Sequence, residues 1–353
     1  MPDRRFDIPP LDEVAMAAAR ARQASLTKPL GALGVLEDIA CRLAGIQGTA
    51  RPSISRKYVV VAAADHGVAA EGVSAYPPEV TAQMLANFLN GGAAINVLAR
   101  FAGAEVLVVD AGVSSDVPGD TAALRRVAVR RGTSNIVTGP AMTRSEAQAM
   151  IEAGAGIARE LADAGAQVIA TGEMGIGNTT PAAAITSVFT GRPPELVTGR
   201  GTGVDEAGYA RKVDVVRRAI ERNRPDPEDP IGVLAAVGGF EIAFMAGLAL
   251  GAAERRVAVA LDGFISTAAA LGANGINPAV RDYAFATHRS AEAGHAAALE
   301  RLGMRPMLEL DMRLGEGSGA ALGFQVMEAA VRLHNEMATF EEAAVSQRSP
   351  EGR

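Results

Sequence analysis

The sequence predicts an α/β fold organised around a mostly parallel sheet. Three observations carry that expectation. Short β-branched runs recur along the chain, longer helical patterns separate them, and each of four runs ends in an acidic residue followed closely by glycine. Strands alternating with helices are the pattern of βαβ units. In open parallel sheets ligands bind outside the carboxyl ends of the strands.

Composition suits that architecture. The 353 residues allow one large α/β domain with additions, or two domains. Hydrophobic residues make up 48% and charged residues 21%, which is a packed globular protein rather than a disordered one. With 4% aromatics and no Trp, the core must be built from Ala, Val, Leu, Ile and Met, and small side chains let helices approach a sheet closely. A net charge of -6 argues against general attraction to nucleic acid. The pairs Arg125-Arg126, Arg130-Arg131 and Arg255-Arg256 read as solvated faces. A single cysteine, Cys41, excludes an internal disulfide and a thiolate metal cluster, and its neighbours GVLEDIACRLAGI suggest a buried helix position. The N-terminal MPDRRFDIPPLDEV lacks the apolar run of a signal peptide, and no run of about 18 uncharged apolar residues suggests a membrane span. The expectation is a cytoplasmic protein.

In chain order, residues 11 to 47 read as helical with a break at Thr27-Lys28-Pro29-Leu30-Gly31, and GTARPSISRK is the boundary into the main domain. YVVVAAA then leads to Asp65-His66-Gly67, and VLVV to Asp110-Ala111-Gly112. QVIAT leads to Gly172-Glu173-Met174-Gly175, and VAVAL to Asp262-Gly263. Each acid alone also fits a helix cap or a turn, whereas four in register point to a site. FEIAFMAGLALGAAE, interrupted by Glu241, reads as a core helix. Residues 317 to 337 read as an amphipathic helix with Leu322, Val326, Ala329, Ala330 and Leu333 on one face.

Four stretches could carry chemistry. In TGEMGIGNTTPAAAI, Gly175 and Gly177 permit unusual backbone angles, and Thr179 or Thr180 can cap a helix with Pro181 in its first turn. The free N–H groups of such a helix start, after Asn178, suit a phosphate, although the stretch also fits a capped loop. In VTGRGTGVDEAGYARKV, the glycines including Gly201 expose backbone donors and Lys212 can reach back as a point charge, or stand as an exposed helix lysine. In RLGEGSGAAL, Glu316 lies between glycines beside Leu314. A carboxylate in a partly apolar pocket gains a raised pKa useful to a general base, while the plainer reading is a glutamate complementing a helix dipole. In residues 65 to 99, Tyr76-Pro77-Pro78 forms a stiff loop, and Gln83, Met84 and Phe88 follow on a helix. An apolar rim with one amide fits a flat heteroaromatic, and ordinary helix packing fits the same pattern. His66 and His288 lack metal-ligand spacing, so no zinc site is assigned.

Taken together, SLTKPLGALGVLE, DHGVAAEGVSAYPPEVTAQM, GTSNIVTGPAMT, GEMGIGNTT, VTGRGTGVD, GGFEIAFMAG, LDGFISTAAAL, HRSAEAGH and LGEGSGAA resemble, in order, the nicotinate-nucleotide:dimethylbenzimidazole phosphoribosyltransferase family of cobalamin biosynthesis. The resemblance runs from about residue 25 to 340. Leu30 and Ala32 stand where the family often has proline and serine, and Ser318 where threonine is common.

The resemblance implies a Rossmann-like mostly parallel sheet flanked by helices over residues 51–317. It also implies a small helical domain from residues 1–50 with about 318–345, and a disordered tail at 346–353 is expected. It implies a homodimer that takes nicotinate mononucleotide and a benzimidazole base, without a cofactor or metal. Glu316 resembles the base that takes the azole proton, and Glu173 the second acid. Gly175, Gly177, Asn178, Thr179, Gly201, Lys212, Asp262 and Ser290 match the nucleotide and phosphate region. Tyr76, Pro77, Gln83 and Leu314 match the base pocket. An NAD-linked oxidoreductase would need a glycine fingerprint after the first strand, and DHGVAAEG lacks it. A non-catalytic relative that binds the riboside or the base is the other reading.

Overall fold

The computed structural model describes residues 6–346, and the chain divides into two units. One comprises the residues up to Pro9 with Arg56–Gly323, and the other comprises Pro10–Ser55 with the chain from Phe324 onward. From residue 347 the tail expected to be disordered lies outside the described residues.

In the smaller unit, α1 (Glu13–Ser25) starts at Asp12, whose carboxylate accepts the Ala15 N–H at 2.9 Å. A side-chain acceptor at this position satisfies one of the free amides of a first helical turn. Helix α2 (Val35–Gln47) follows the expected break, and Ala19, Cys41 and Ala44 form a small buried cluster between the two. The Arg22 guanidinium donates to the carbonyls of His334, Asn335 and Met337, which closes the end of the last helix among the described residues.

The larger unit is built on six parallel strands in the order β3-β2-β1-β4-β5-β6. Strand β1 (Lys57–Ala64) lies at the centre, and Val59 to Ala64 are all fully buried, which is why that run is continuously apolar rather than alternating. Helices α3 (Glu79–Leu89) and α4 (Ala94–Ala102) lead to β2 (Ala104–Gly112), and a long connection carries the edge strand β3 (Arg125–Arg126). Helix α5 (Arg144–Asp163) leads to β4 (Val168–Met174), which pairs with β1 so that Ala62 stands opposite Glu173. Then come α6 (Thr179–Thr190), α7 (Pro194–Val197), α8 (Glu206–Asn223), α9 (Pro230–Val237) and α10 (Phe240–Glu254). Strand β5 (Ala258–Leu261), α11 (Phe264–Ile276) and β6 (Ala284–Ala286) complete the sheet. A separate parallel pair, β7 (His288–Arg289) and β8 (Leu308–Glu309), flanks α12 (Ala293–Leu302).

The small-residue composition is used most directly where α5 meets α10. A Cβ at Gly247 would lie 1.8 Å from the Ile151 carbonyl oxygen, and one at Gly154 would lie 2.0 Å from that of Phe244. Real Cβ atoms do not approach so closely, so the two backbones touch only because both positions are glycine. Helix α10 is buried along nearly its whole length, as its sequence suggested, and no helix among the described residues is long and apolar enough to cross a membrane.

Helix α13 (Ser318–Glu336) begins in the larger unit and ends in the smaller one. Its buried stripe differs from the expected one. Phe324, Met327, Ala330, Val331 and His334 are buried, Leu322, Val326 and Leu333 are half-buried, and Ala329 is exposed. The stripe passes through a histidine, whose ring nitrogens reach Gln23 Nε2 at 3.0 Å and the Ala50 carbonyl at 2.8 Å. A hydrophobicity pattern counts that position as polar and rotates the predicted face away from it.

The arginine pairs also divide. Arg125 and Arg255 form exposed ion pairs with Glu160 and Asp163, as solvated residues do. Arg130 does not. Its guanidinium sits 5.0 Å from the Phe240 ring centroid, pairs with Glu146 at 2.8 Å and donates to the Ala141 carbonyl. It ties the connection after β3 to the start of α10.

Candidate active site

A pocket of about 430 Å³ opens at the carboxyl ends of β4 and β5, inside the larger unit. Its most unusual wall is the loop before α13. Gly315, Glu316 and Gly317 all have positive φ, at +85°, +64° and +87°. A glutamate in the left-handed region is strained, and such strain persists only where its surroundings enforce it. Here they do. Gly172 leaves room for the loop, since a Cβ there would lie 2.6 Å from the Glu316 carbonyl oxygen, and the Glu316 amide donates to the Glu173 carbonyl at 3.2 Å.

The Glu316 side chain is thereby turned into the pocket wall. Its Oε2 accepts the Ile95 N–H at 3.1 Å, in the first turn of α4, where the helix presents free amides and a partial positive charge. Burial nevertheless pushes the Glu316 carboxyl above the usual carboxylate range, and the Ile95 amide only moderates this. Glu173, at the end of β4, takes a hydrogen bond from the Asn178 side-chain amide. Burial pushes the Glu173 carboxyl up to about 8; Asn178 opposes the rise, and the charges of Glu241, Asp262 and Glu316 add to it. Asp262, after β5, is likewise pushed up to about 7 by burial, against the pull of backbone amides that include Ala320 at 3.0 Å and Gly317 at 3.2 Å. Three neighbouring carboxyl groups therefore hold protons more tightly than free ones do, and they titrate as a set.

Positive charge stands behind the pocket wall at Thr179. Lys212 on α8 is fully buried, and its Nζ donates to Thr179 Oγ1 at 2.5 Å. Burial pulls this ammonium down to about 8, with Glu292 pulling the other way. No carboxylate lies within salt-bridge distance of Lys212 among the described residues, and the ammonium reaches the pocket wall through Thr179. Gly201, with φ +52°, has no room for a side chain, because a Cβ would lie 2.7 Å from both Lys212 Nζ and Thr179 Oγ1. Its amide donates to Glu292 Oε1 at 2.9 Å, and Arg313 holds its carbonyl at 2.9 Å. The pocket wall thus holds an acid cluster, and a buried ammonium stands behind Thr179, a combination that fits a ligand with an anionic tail and a reacting centre where protons move.

A family profile described as phosphoribosyltransferase matches residues 8–345. A relative from Roseiflexus sp. (strain RS-1), named nicotinate-nucleotide--dimethylbenzimidazole phosphoribosyltransferase, is 56% identical over 96% of this chain and 96% of its own. The chain belongs to this phosphoribosyltransferase family. A relative of the same name from Desulforudis audaxviator is 55% identical over 96% of each chain. Two crystal structures from Thermus thermophilus share the fold. One, described as the same transferase, has a TM-score of 0.90 at 49% identity and covers 96% of this chain and all (100%) of its own. The other, described as CobT, has a TM-score of 0.91 at 51% identity and covers 95% of this chain and 100% of its own. The α/β architecture and the parallel sheet expected for the family are those observed.

Within this phosphoribosyltransferase, Glu316, Glu173, Asp262, Gly175, Gly177, Asn178, Thr179, Gly201, Ser290, Tyr76 and Leu314 all line the one pocket. Lys212 stands just behind Thr179. Pro77 and Gln83 are not among the lining residues, and Gln83 is exposed on α3; Val80 and Met84 of that helix face the pocket instead. Asp65 and Asp110 leave the expected row of acids. Asp65 Oδ2 accepts the Ser114 amide at 2.7 Å, and Asp110 Oδ1 accepts those of Gly112 and Val113 at 3.0 and 2.9 Å. Asp110 does turn-forming work, the alternative that each acid alone left open, whereas Asp65 ties the end of β1 to the loop after β2. The N-cap of helix α6 is Asn178 rather than a threonine, and Asn178 makes no side-chain cap, its amide donating to Glu173 instead. Sequence reasoning missed His288, Glu292 and Arg313 as lining residues, although HRSAEAGH and RLGEGSG contain them. It also missed the Ile95 amide, for which no local signal exists.

Proposed function

We propose that the chain transfers phosphoribose from nicotinate mononucleotide to 5,6-dimethylbenzimidazole, giving α-ribazole 5′-phosphate and nicotinate with inversion at C1′. The observation that carries this reading is Glu316, held in a strained left-handed conformation with Oε2 on the Ile95 amide, in the wall of the pocket. That is the arrangement of a carboxylate kept ready to take a proton.

In this reading the phosphate sits beside Lys212, Thr179 and the amides that follow Gly175, with Asp262 and Ser290 near the ribose. The benzimidazole lies along Leu314 and the Tyr76 side, with Pro77 and Gln83 outside the first layer of contacts. The unprotonated azole nitrogen attacks C1′ from the face opposite nicotinate. The C1′–N bond to nicotinate breaks, and its electron pair neutralises the cationic ring nitrogen. As the new bond forms, the other azole nitrogen loses its proton to Glu316. Glu173 supports the positive charge that builds on the ribose. On its own the Glu173 carboxyl is largely protonated at neutral pH, and a bound pyridinium favours its ionised form by direct attraction. Binding the cationic ring of the nucleotide therefore prepares the acid cluster for the step.

Tyr76 and Leu314 are 55% and 57% exposed at the pocket mouth, so two apolar side chains flank the expected base with water on one side. A second copy of the chain covering this mouth is consistent with the homodimer expected from the family, and a cytoplasmic location completes the proposal. The test is incubation of the purified protein with nicotinate mononucleotide and dimethylbenzimidazole, following both products by chromatography and mass spectrometry. Release of nicotinate in step with a riboside phosphate supports the reading. Binding of the base without turnover, with any azole, would favour the non-catalytic alternative.

A further inference from the structure

One buried ion pair is left unused by this mechanism. His66 follows β1 and Glu241 lies in the first turn of α10, and both side chains are fully buried. His66 Nε2 and Glu241 Oε1 are 2.8 Å apart, whereas His66 Nδ1 and Glu241 Oε2 have no partner among the described residues. Two glycines clear the space. A Cβ at Gly175 would lie 3.1 Å from His66 Nε2, and one at Gly239 would lie 2.4 Å from His66 Cε1. The imidazole is therefore wedged under Gly175, the residue that opens the loop running from Glu173 to Thr179. Neither member of the pair lines the pocket. A buried pair of this kind costs desolvation that a well-packed apolar pair would not.

We propose that His66 and Glu241 are positioning residues for the transfer, seating the Gly175 loop and balancing a carboxylate charge beside Glu173. The inference rests on the reading of Glu173 as part of the reacting centre. Burial opposes protonation of His66, but the charge and hydrogen bond of Glu241, with Asp65 adding to them, raise its pKa above the ordinary value. Glu241 in turn is felt at Glu173. The charged groups acting on this assembly are Asp65 on His66 and, through Glu173, Asp262 and Glu316, with the Arg130 guanidinium over the Phe240 ring next to Glu241. With His66 protonated, the Glu241 charge is cancelled locally and Glu173 responds to the substrate. Without it, an unbalanced carboxylate stands behind the site.

Two measurements on the full chain test this. The first follows the four histidine ring signals of the unaltered protein by NMR across pH, His66 being assigned by its loss in His66→Gln. His66 is expected to stay protonated above the ordinary histidine range. A His66 that titrates below that range in the parent protein would overturn the proposal. The second reads the Glu173 carboxyl by 13C-glutamate labelling, assigned through Glu173→Gln. In His66→Gln its midpoint should rise by about one pH unit, and in the double variant His66→Gln/Glu241→Gln it should return to the parent value. An unmoved midpoint in the single variant, or no return in the double, overturns the proposal. The pH profile of kcat should move with that midpoint. Because the titrations need no turnover, failure of the transferase reading and failure of the charge-balancing role are separable.

Discussion

Glu173 Oε1 occupies the space that a side chain at residue 315 would need: a Cβ on Gly315 would lie 2.1 Å from it. With φ at +85°, Gly315 is also in a conformation that L-residues rarely adopt. The Gly315→Ala variant is therefore expected to displace either Glu173 or the Glu316 loop. Transfer should fall by at least ~10²-fold, with a loss of stability of about 1–3 kcal/mol. Steady-state kinetics and a melting curve on one preparation check both.

Glu316→Gln keeps the shape of the side chain and removes the base. The azole adduct should form ~10²–10⁴-fold more slowly, with the KM for the nucleotide little changed. The melting temperature should not drop, because a neutral amide relieves a buried carboxylate. If the variant makes product at the parent rate, Glu316 has no part in proton removal.

Lys212→Met tests the buried ammonium. Methionine fills the buried stem and removes the charge, so nucleotide affinity should weaken about tenfold or more while the fold persists. The stability effect has a definite sign. The folded-state pKa of Lys212 lies near 8, below the 10.5 of a free lysine, so the charged form is disfavoured by folding. That penalty is full below pH 8 and fades as pH rises toward 10.5. The variant should thus melt higher than the parent at pH 7, with the difference shrinking at pH 10.

Glu173 makes the mirror-image prediction. Its carboxyl is raised from 4.5 to about 8, so the folded state binds the extra proton between those values and stability falls as pH rises through them. Glu173→Gln, which cannot ionise, should melt near the parent at pH 4.5 and a few degrees above it at pH 9. Equal melting temperatures for the two at both ends would contradict the buried, proton-holding state of this carboxyl.

Strands β1, β2, β4 and β5 were legible as apolar runs, Val59–Ala64 most plainly because it is buried throughout, whereas the exposed β3 (Arg125–Arg126) and the three-residue β6 (Ala284–Ala286) carry no such run and were not read as strands. The glycine-bracketed Glu316 and the Gly175–Thr179 turn were legible for a different reason: Gly177, Gly315 and Gly317 take positive φ, and Gly175 lets the Ala64 carbonyl approach, so glycines are demanded in fixed places. What remained hidden depends on long-range juxtaposition. Ile95 and Glu316 are 221 positions apart, and His66 and Glu241 are 175 apart, so no local pattern announces either contact. Asp65 and Asp110 carry the same apolar-run, acid, glycine signature as Glu173 and Asp262, yet bind nearby loop amides. The signature records where a strand ends and leaves open which way the acid points.

The glycine seam between α5 and α10 reaches further than packing. Glu241 rides on the first turn of α10, and that helix is pressed backbone to backbone against Ile151 at Gly247. A small shift of the seam is passed along a rigid rod to the carboxylate beside His66. Relatives of this enzyme adapted to acidic or alkaline surroundings need not alter any residue that meets substrate. Changes in how these two helices touch offer a separate route by which evolution could retune the pH at which the chemistry runs.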